Sequence, residues 1–312
     1  MNRDKVCIIT VNYGTPEDTI ECLQSIRNNS YESFYVTVVD VLNINKSVEK
    51  ITRWVNEIND ARFFIIEVRV NRGFAYANNI GVKKAIQQHN CDFLWLLNND
   101  TVINHNTLKD LIACYRLKSQ IQDVGFMGSK IMDYVHKDII QSVGGTFNPF
   151  TGYSKLVGMG EKDTGQFDGV DLTMNYVVGA SMLFHVSLIQ QIGLMPENYF
   201  LYYEDIDWCI KAQKKGFINT ACLKSVVYHK QGISTGAKLL SDDIHIQNKK
   251  YLYISYLKFY HIHYQWLLPV AYLILLKQMA GKIFHNNFAE AKLIFKIIFN
   301  FDIKDNYYGN PH

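Results

Sequence analysis

"KVCIITVNYGTPEDTIECLQSI", residues 5–26, is the stretch on which the fold turns. Its first half is a short β-branched apolar run, the composition of a buried strand. Its second half starts a helix: Thr15 stands at the cap position, Pro16 at the first helical position, and Glu17 and Asp18 near the positive end of the backbone dipole. Strand, loop and helix then recur. "YVTVVD" reads as a strand ending on Asp40, "FFIIEV" (63–68) as another, "NRGFAYANNIGVKKAI" as a glycine-broken loop entering a helix, and "DFLWLL" (92–97) as a fourth strand. Continuous apolar strands alternating with helices define an α/β fold, a mostly parallel sheet with flanking helices on both faces.

Ligands of such sheets bind beyond the carboxyl ends of the strands. Asn12, Asp40, Asn71 and the Asn98, Asn99 and Asp100 of "LWLLNNDTVI" (94–103) all fall there. Asn and Asp after a strand also serve as plain turn formers, so "NND" alone leaves both readings open. Two further clusters bear on the choice: Glu204, Asp205 and Asp207 in "YYEDID", and His229 in "YHKQGIS". An Asp, a His and phosphate oxygens make a sphere for Mg2+ or Mn2+, hard ions that complete their shell with substrate phosphates and water. A carboxylate of the second cluster is then free to act as base. On a helix Glu204 and Asp205 point about 100° apart, whereas Glu204 and Asp207 share a face. The same acids also suit a helix N-terminus for its dipole alone. "NRGFAYANNIG" lacks the GxGxxG and GxxxxGK[ST] spacings, which removes the main support for a nicotinamide or kinase-like site.

Composition bounds the rest. The 312 residues suffice for one large domain or two ordinary ones, and 32 basic against 29 acidic residues leave a surplus too small for a nucleic-acid-binding surface. Six cysteines show no CxxC pair and sit mostly in apolar runs, as reduced core residues of a cytosolic protein do. The N-terminus lacks the charged-then-apolar pattern of a signal peptide. From about 125 to 180 the chain is glycine-rich and β-leaning; "YVVGASMLFHVSLIQQIGLM" is a buried run followed by a helix, and "YYEDIDWCIKAQKKGF" a helix stopped by Gly216. Beyond 240, Tyr, Trp, Phe and Lys interleave at helical spacing, which suits a helix in a membrane interface or an amphipathic helical subdomain packed on the sheet. The longest apolar run, Trp266 to Leu276, is about half of the ~20 residues that span a bilayer.

Taken together, "VCIITVNYGTPEDTIECLQSI", "VVD", "NRGFAYANNIGVKKA", "FLWLLNNDTVI", "VGASMLF", "YYEDIDWCIKAQKKGF" and "VYHKQGISTG" resemble, in order, the family 2 glycosyltransferases, inverting enzymes with the GT-A fold, and within them the rhamnosyltransferase-like branch of bacterial polysaccharide synthesis. The resemblance covers about residues 4–240. It implies that Thr10, Asn12 and Tyr13 line a nucleotide pocket, that Asp40 meets the edge of the base, and that Asn71, Gly73, Phe74 and Asn78 hold base and ribose. "NND" takes the place of the family's D-x-D motif, with Asp100 on the metal, Asn98 on the ribose or sugar side and Asn99 beside it. Gly179 and Ala180 border the sugar, Glu204 and Asp205 match the motif that supplies the general base, and His229 completes the metal site. Two departures stand out. "VVDVLNINKS" replaces an Asn-Ser loop near the base with apolar residues, and Asn98 removes one carboxylate from D-x-D.

The resemblance therefore implies a catalytic domain over 1–240, with a nucleotide-binding half (1–103) and an acceptor half (104–240), and a helical tail over 241–312. The donor expected is a nucleotide-diphosphate sugar, dTDP- or UDP-linked, used with Mg2+ or Mn2+. The acceptor expected is a saccharide, polyprenyl-diphosphate-linked, met at the inner face of the cell membrane by a cytoplasmic, peripheral protein; a homodimer is left open. Two other classes compete: a catalytically silent sugar-nucleotide-binding protein, and a nucleotidyltransferase, whose usual basic glycine-rich opening loop "TVNYGTPEDT" does not provide.

Overall fold

The computed structural model describes residues 4–230 and 242–301. Strand β1 (Val6–Asn12) runs into helix α1 (Pro16–Arg27), as the opening stretch requires. β2 (Phe34–Val41), α2 (Ser47–Ile58), β3 (Phe63–Val68), α3 (Phe74–His89) and β4 (Phe93–Leu97) complete the first half. The second half holds β5 (Thr101–Ile103), α4 (Thr107–Ser119), β6 (Val124–Asp133), β7 (Ile140–Ser142), β8 (Gly145–Asn148), β9 (Tyr153–Leu156), β10 (Thr173–Met174), β11 (Ser181–His185), α5 (Leu188–Ile192), α6 (Glu204–Lys214) and β12 (Ile218–His229). Helices α7 (Asp242–His263), α8 (Leu268–Phe284) and α9 (Phe288–Asn300) follow.

Among the described residues ten strands form one sheet in the order β10-β12-β6-β11-β4-β1-β2-β3, with β5 beside β12 and β7 beside β6. β1 pairs in parallel with β2 and β4, and β2 with β3, the arrangement their continuous apolar runs predict. β11 then enters antiparallel between β4 and β6, so the sheet is mixed at its centre. Both faces are covered. Along β1, Cys7 and Ile9 pack into one apolar cluster with residues of α3 and α6, while Val6 and Ile8 pack into the other with residues of α1 and α4. That alternation is the period of two of a strand buried on both sides.

Thr15 departs from its expected role. It makes no side-chain bond to the start of α1; its hydroxyl instead accepts from Asn99 Nδ2 at 2.9 Å, and Pro16 alone sets the first turn. The cysteines also differ from expectation. Cys114 of α4 and Cys222 of β12 are joined as a disulfide with Cα atoms 5.8 Å apart, while Cys7, Cys22, Cys91 and Cys209 are buried and free.

The helical tail divides into two kinds of surface. Leu257, Phe259 and Tyr260 of α7 have no exposed area and join the cluster that contains α6. Ser255 Oγ donates to Leu201 O at 2.9 Å, Lys258 Nζ to Asn198 O at 2.9 Å and Tyr260 OH to Pro149 O at 2.6 Å. α7 is thus a core helix. α8 and α9 pack on it through Ala271, Leu275, Ile294 and Ile297, yet leave Leu273, Phe284, Phe288 and Phe299 more than half exposed, as is Trp266 in the turn before α8. The helical stretch Gln265–Phe284 is long and apolar enough to cross a membrane by length and composition. It exceeds the apolar run read from sequence because the helix continues past Lys277 to Phe284.

Candidate active site

Residue by residue, the site begins where the sheet's edge folds over. β5 is three residues long and pairs antiparallel with the end of β12, Thr101 opposite His229. That register brings His229 Nε2 to 3.1 Å from Asp100 Oδ1. Asp100 is 1% exposed, and among the described residues neither of its carboxylate oxygens has a hydrogen-bond partner. A buried carboxylate left in that state is costly and calls for a cation. Lys230 does not supply one: its backbone N–H donates to Asp100 O, but its ammonium pairs with Asp18 and Glu21 at 2.5 Å each. A carboxylate and an imidazole nitrogen facing each other fit a divalent ion such as Mg2+ or Mn2+. Among the described residues no three His, Cys, Asp or Glu side chains gather, so phosphate oxygens and water would complete the sphere.

From Asp100 a chain of single contacts leads to the second acid. Asn98 N donates to Ala180 O at 3.0 Å, which ties the "NND" turn to the start of β11. Gly179 N donates to Asp205 Oδ2 at 3.1 Å, and Ile206 N donates to Asp205 Oδ1 at 2.8 Å. A Cβ placed on Gly179 would stand 3.5 Å from the Phe74 ring and 3.6 Å from Asp205 Oδ2, so Phe74, Gly179 and Asp205 share one wall.

Glu204 and Asp205 point apart, as their helical spacing demands. Glu204 is turned inward, and its Oε2 finds no partner. Burial, reinforced by the neighbouring Asp205 charge, pushes the Glu204 carboxyl well up. Burial raises Asp205 too, but the Gly179 and Ile206 N–H groups favour its anion, and its side chain is only half-buried. Of the two, Asp205 is the more accessible, and burial favours the neutral form of Glu204. Asp207 serves neither purpose: fully buried, it accepts from Tyr199 OH at 2.8 Å and pairs with Lys211 at 2.9 Å and with His263 of α7 at 3.1 Å.

The residues expected to meet a nucleotide divide into surface and brace. Tyr13 is 42% exposed and Phe74 half-buried. Asn12 donates to Asp40 Oδ2 at 2.6 Å and accepts from Thr19 Oγ1 at 2.8 Å, and Asn99 Nδ2 points at Asn12 and at the hydroxyls of Thr15 and Thr19. Asp40 Oδ1 accepts from Asn43 N at 3.0 Å. Asn12 and Asn99 are thus buried and bonded to each other and to their neighbours, while the Thr10 hydroxyl is buried without a partner among the described residues. Asn71 Oδ1 accepts from Gly73 N, and Asn78 Nδ2 donates to Phe74 O, both at 3.0 Å. Gly73 has φ 94, and a Cβ there would lie 2.1 Å from Phe200 O. The departing segment "VLNINKS" forms a tight loop with Asn43, Asn45 and Lys46 in the left-handed region, anchored by Val48 N on Asn43 Oδ1. The "QGISTG" stretch after Lys230 lies outside the described residues.

Two polar residues of the site were not singled out from sequence. Asn79 Nδ2 donates to Met195 O and Glu197 Oε1, both at 2.8 Å, fixing α3 to the segment before α6. Gln141 of β7 places Oε1 3.0 Å from His229 Nδ1. Neither carries a local signal, since both act on residues remote in sequence.

These features meet in a known class. Residues 93–303 match the model of glycosyl transferase family group 2, and residues 6–129 that of glycosyl transferase family 2. The chain belongs to the family 2 glycosyltransferases. It is similar to the low-salt glycan biosynthesis hexosyltransferase of Haloferax volcanii, 25% identical over 230 residues, or 74% of this chain and 68% of that protein. Its fold resembles that of a Pyrobaculum calidifontis mannosyltransferase in complex with GDP-Man and Mn2+, with a TM-score of 0.55 and 15% identity over 98% of this chain and 85% of the other. S. aureus TarS gives a TM-score of 0.52 with 15% identity over 97% and 89%. The fold is GT-A, with a C-terminal helical segment.

Proposed function

We propose that this glycosyltransferase moves a sugar from a nucleoside-diphosphate donor to a hydroxyl of a saccharide acceptor, with inversion at the anomeric carbon. The observation that carries this reading is Asp100, a buried carboxylate with both oxygens unpartnered among the described residues and His229 Nε2 3.1 Å away. Asp100 and His229 would hold a divalent ion, which would supply Lewis-acid stabilisation of the departing diphosphate, commonly worth several kcal/mol. Asp205 takes the proton of the acceptor hydroxyl as its oxygen attacks the anomeric carbon; the bond to the diphosphate oxygen breaks on the opposite face. Such base assistance contributes ~10²–10⁴-fold. Glu204, kept protonated by burial, leaves the negative charge on Asp205. Phe74 and Tyr13 present flat surfaces to base and ribose, over the floor built by Asn12, Asp40 and Asn99.

The donor of first choice is dTDP-rhamnose, followed by galactofuranose, glucose or galactose carried on UDP. The acceptor is a lipid-linked saccharide, polyprenyl-diphosphate in type, met by a peripheral protein on the cytoplasmic face of the membrane. Support for that placement comes from the exposed Trp266, Phe284, Phe288 and Phe299, set among the lysines of α8 and α9. Residues 1–240 act as the catalytic domain and 241–312 as the membrane-facing tail, with α7 built into the core of the former.

The test is a donor panel assayed with Mg2+ and Mn2+ for release of nucleoside diphosphate, with the product anomer read by NMR and Asp100→Ala run alongside. Metal-dependent turnover that Asp100→Ala abolishes is expected. Pyrophosphate release would indicate nucleotidyl transfer, and donor binding without turnover a silent protein.

A further inference from the structure

We propose that Gln141 is a positioning residue that fixes the tautomer of His229 and thereby makes Nε2 a metal ligand. The inference rests on the metal-dependent reading above. Gln141 Nε2 donates to His229 O at 2.8 Å and points at Asp133 Oδ2 at 3.3 Å. Turned the other way, the amide would set its oxygen against a carbonyl and a carboxylate, both acceptors only. The orientation is therefore dictated, and Oε1 is the atom that faces His229 Nδ1 at 3.0 Å.

An oxygen at that position accepts, so Nδ1 carries the hydrogen. In the neutral ring Nε2 is then a bare lone pair, 3.1 Å from an Asp100 oxygen that has no donor of its own among the described residues. Two acceptors in that relation are held apart unless a cation lies between them. Gln141 thus prevents His229 from settling into the alternative neutral form, in which Nε2–H would simply donate to Asp100 and close the site to metal. The backbone gives the contact its stiffness. β7 lies antiparallel to β6, whose last residue, Asp133, stands opposite His229 in the register of β12. Asp133 is itself anchored by the N–H groups of Val135 and His136. Gln141, Asp133 and His229 are therefore fixed by three neighbouring strands, and the imidazole has little freedom to turn.

Outer partners of this kind typically change metal affinity by ~10–100-fold. The test uses the full chain labelled with ¹⁵N-histidine, comparing wild type with Gln141→Leu and the milder Gln141→Asn, which withdraws the amide by one methylene. His229 resonances are located by their loss in His229→Ala. In wild type the neutral ring is expected as the Nδ1–H tautomer, and in both variants the Nε2–H form should gain population. Mn2+ binding, followed by EPR with the metal alone, should weaken by ten-fold or more while melting temperature stays close to wild type. An unchanged tautomer in both variants, or unchanged Mn2+ affinity, overturns the role of Gln141. Failure of the wild type to bind Mn2+ at this site sinks the metal reading itself.

Discussion

Asp207→Ala tests how the tail is bound to the helix that carries the proposed base. Asp207 is fully buried and is held by Tyr199, Lys211 and His263 at 2.8, 2.9 and 3.1 Å. Removing it leaves the buried Tyr199 hydroxyl and the His263 ring without their acceptor and Lys211 without its counter-charge. Breaking a buried pair by deleting one partner costs about 3–5 kcal/mol. For a chain of this size each kcal/mol moves the melting temperature by about 2 °C, so the variant should melt roughly 6–10 °C below wild type. Glu17→Ala is the matched control, because its ion pair with Lys50 is mostly exposed, at 73% and 44%, and such pairs are worth ~0–1 kcal/mol. Burial pushes the Asp207 carboxyl up, but the His263 bond and the Lys211 charge outweigh it and hold it below the usual range. A depressed carboxyl stabilises the fold above its unfolded value of about 4 and loses that contribution as pH falls below it. The gap between wild type and Asp207→Ala, measured by circular dichroism melts across pH, should therefore be full at pH 7 and narrow below about pH 4. A gap under 2 °C at neutral pH would refute the clamp.

Other outcomes follow from the same geometry. Because Asp205 must be ionised to act as base and its carboxyl is raised, kcat/KM should fall as pH drops through a value above the ordinary aspartate range, and Asp205→Asn should lose ~10²–10⁴-fold with the acid limb abolished. If Asp205→Asn and Glu204→Gln both keep the full rate, the base lies elsewhere. Gly73→Ala would drive a Cβ to 2.1 Å from Phe200 O at φ 94, so low soluble yield or a melting drop beyond 6 °C is expected, and a wild-type melt would contradict the close approach. Trp266→Ser with Phe284→Ser and Phe299→Ser should move the protein from anionic liposome pellets to the supernatant without a change in melting temperature, whereas unchanged sedimentation would leave those side chains with no role at lipid.

The first four strands were legible because each is a run of apolar residues long enough to be buried on both faces, and the loops between them carry their own punctuation. α2 escaped notice because it begins directly after the left-handed Asn45 and Lys46, with no cap residue to announce it. β12 escaped because its burial is irregular and its pairing with β6 slips twice. At the site, Asp100, Asp205 and His229 were readable as acids and a histidine at strand and helix ends. Whether Asn12 and Asn99 meet a ligand or each other was not, since local spacing says nothing about which side chains meet across the sheet. Gln141 lay deeper still. Its meaning depends on β7 folding back along β6, a pairing of three residues with no pattern of its own.

The pairing of β5 with β12 has a consequence for how the protein is made. Asp100 and His229 are separated by more than a third of the chain, yet they meet through only three residue pairs. Contacts of such long sequence separation form late, once the loop entropy between them has been overcome. Asp100 is made long before the strand that carries His229, and until β12 is in place it lacks its histidine. A chain that stops before residue 229 therefore lacks both the histidine that stands beside Asp100 and the helix α7 whose side chains complete the core around α6.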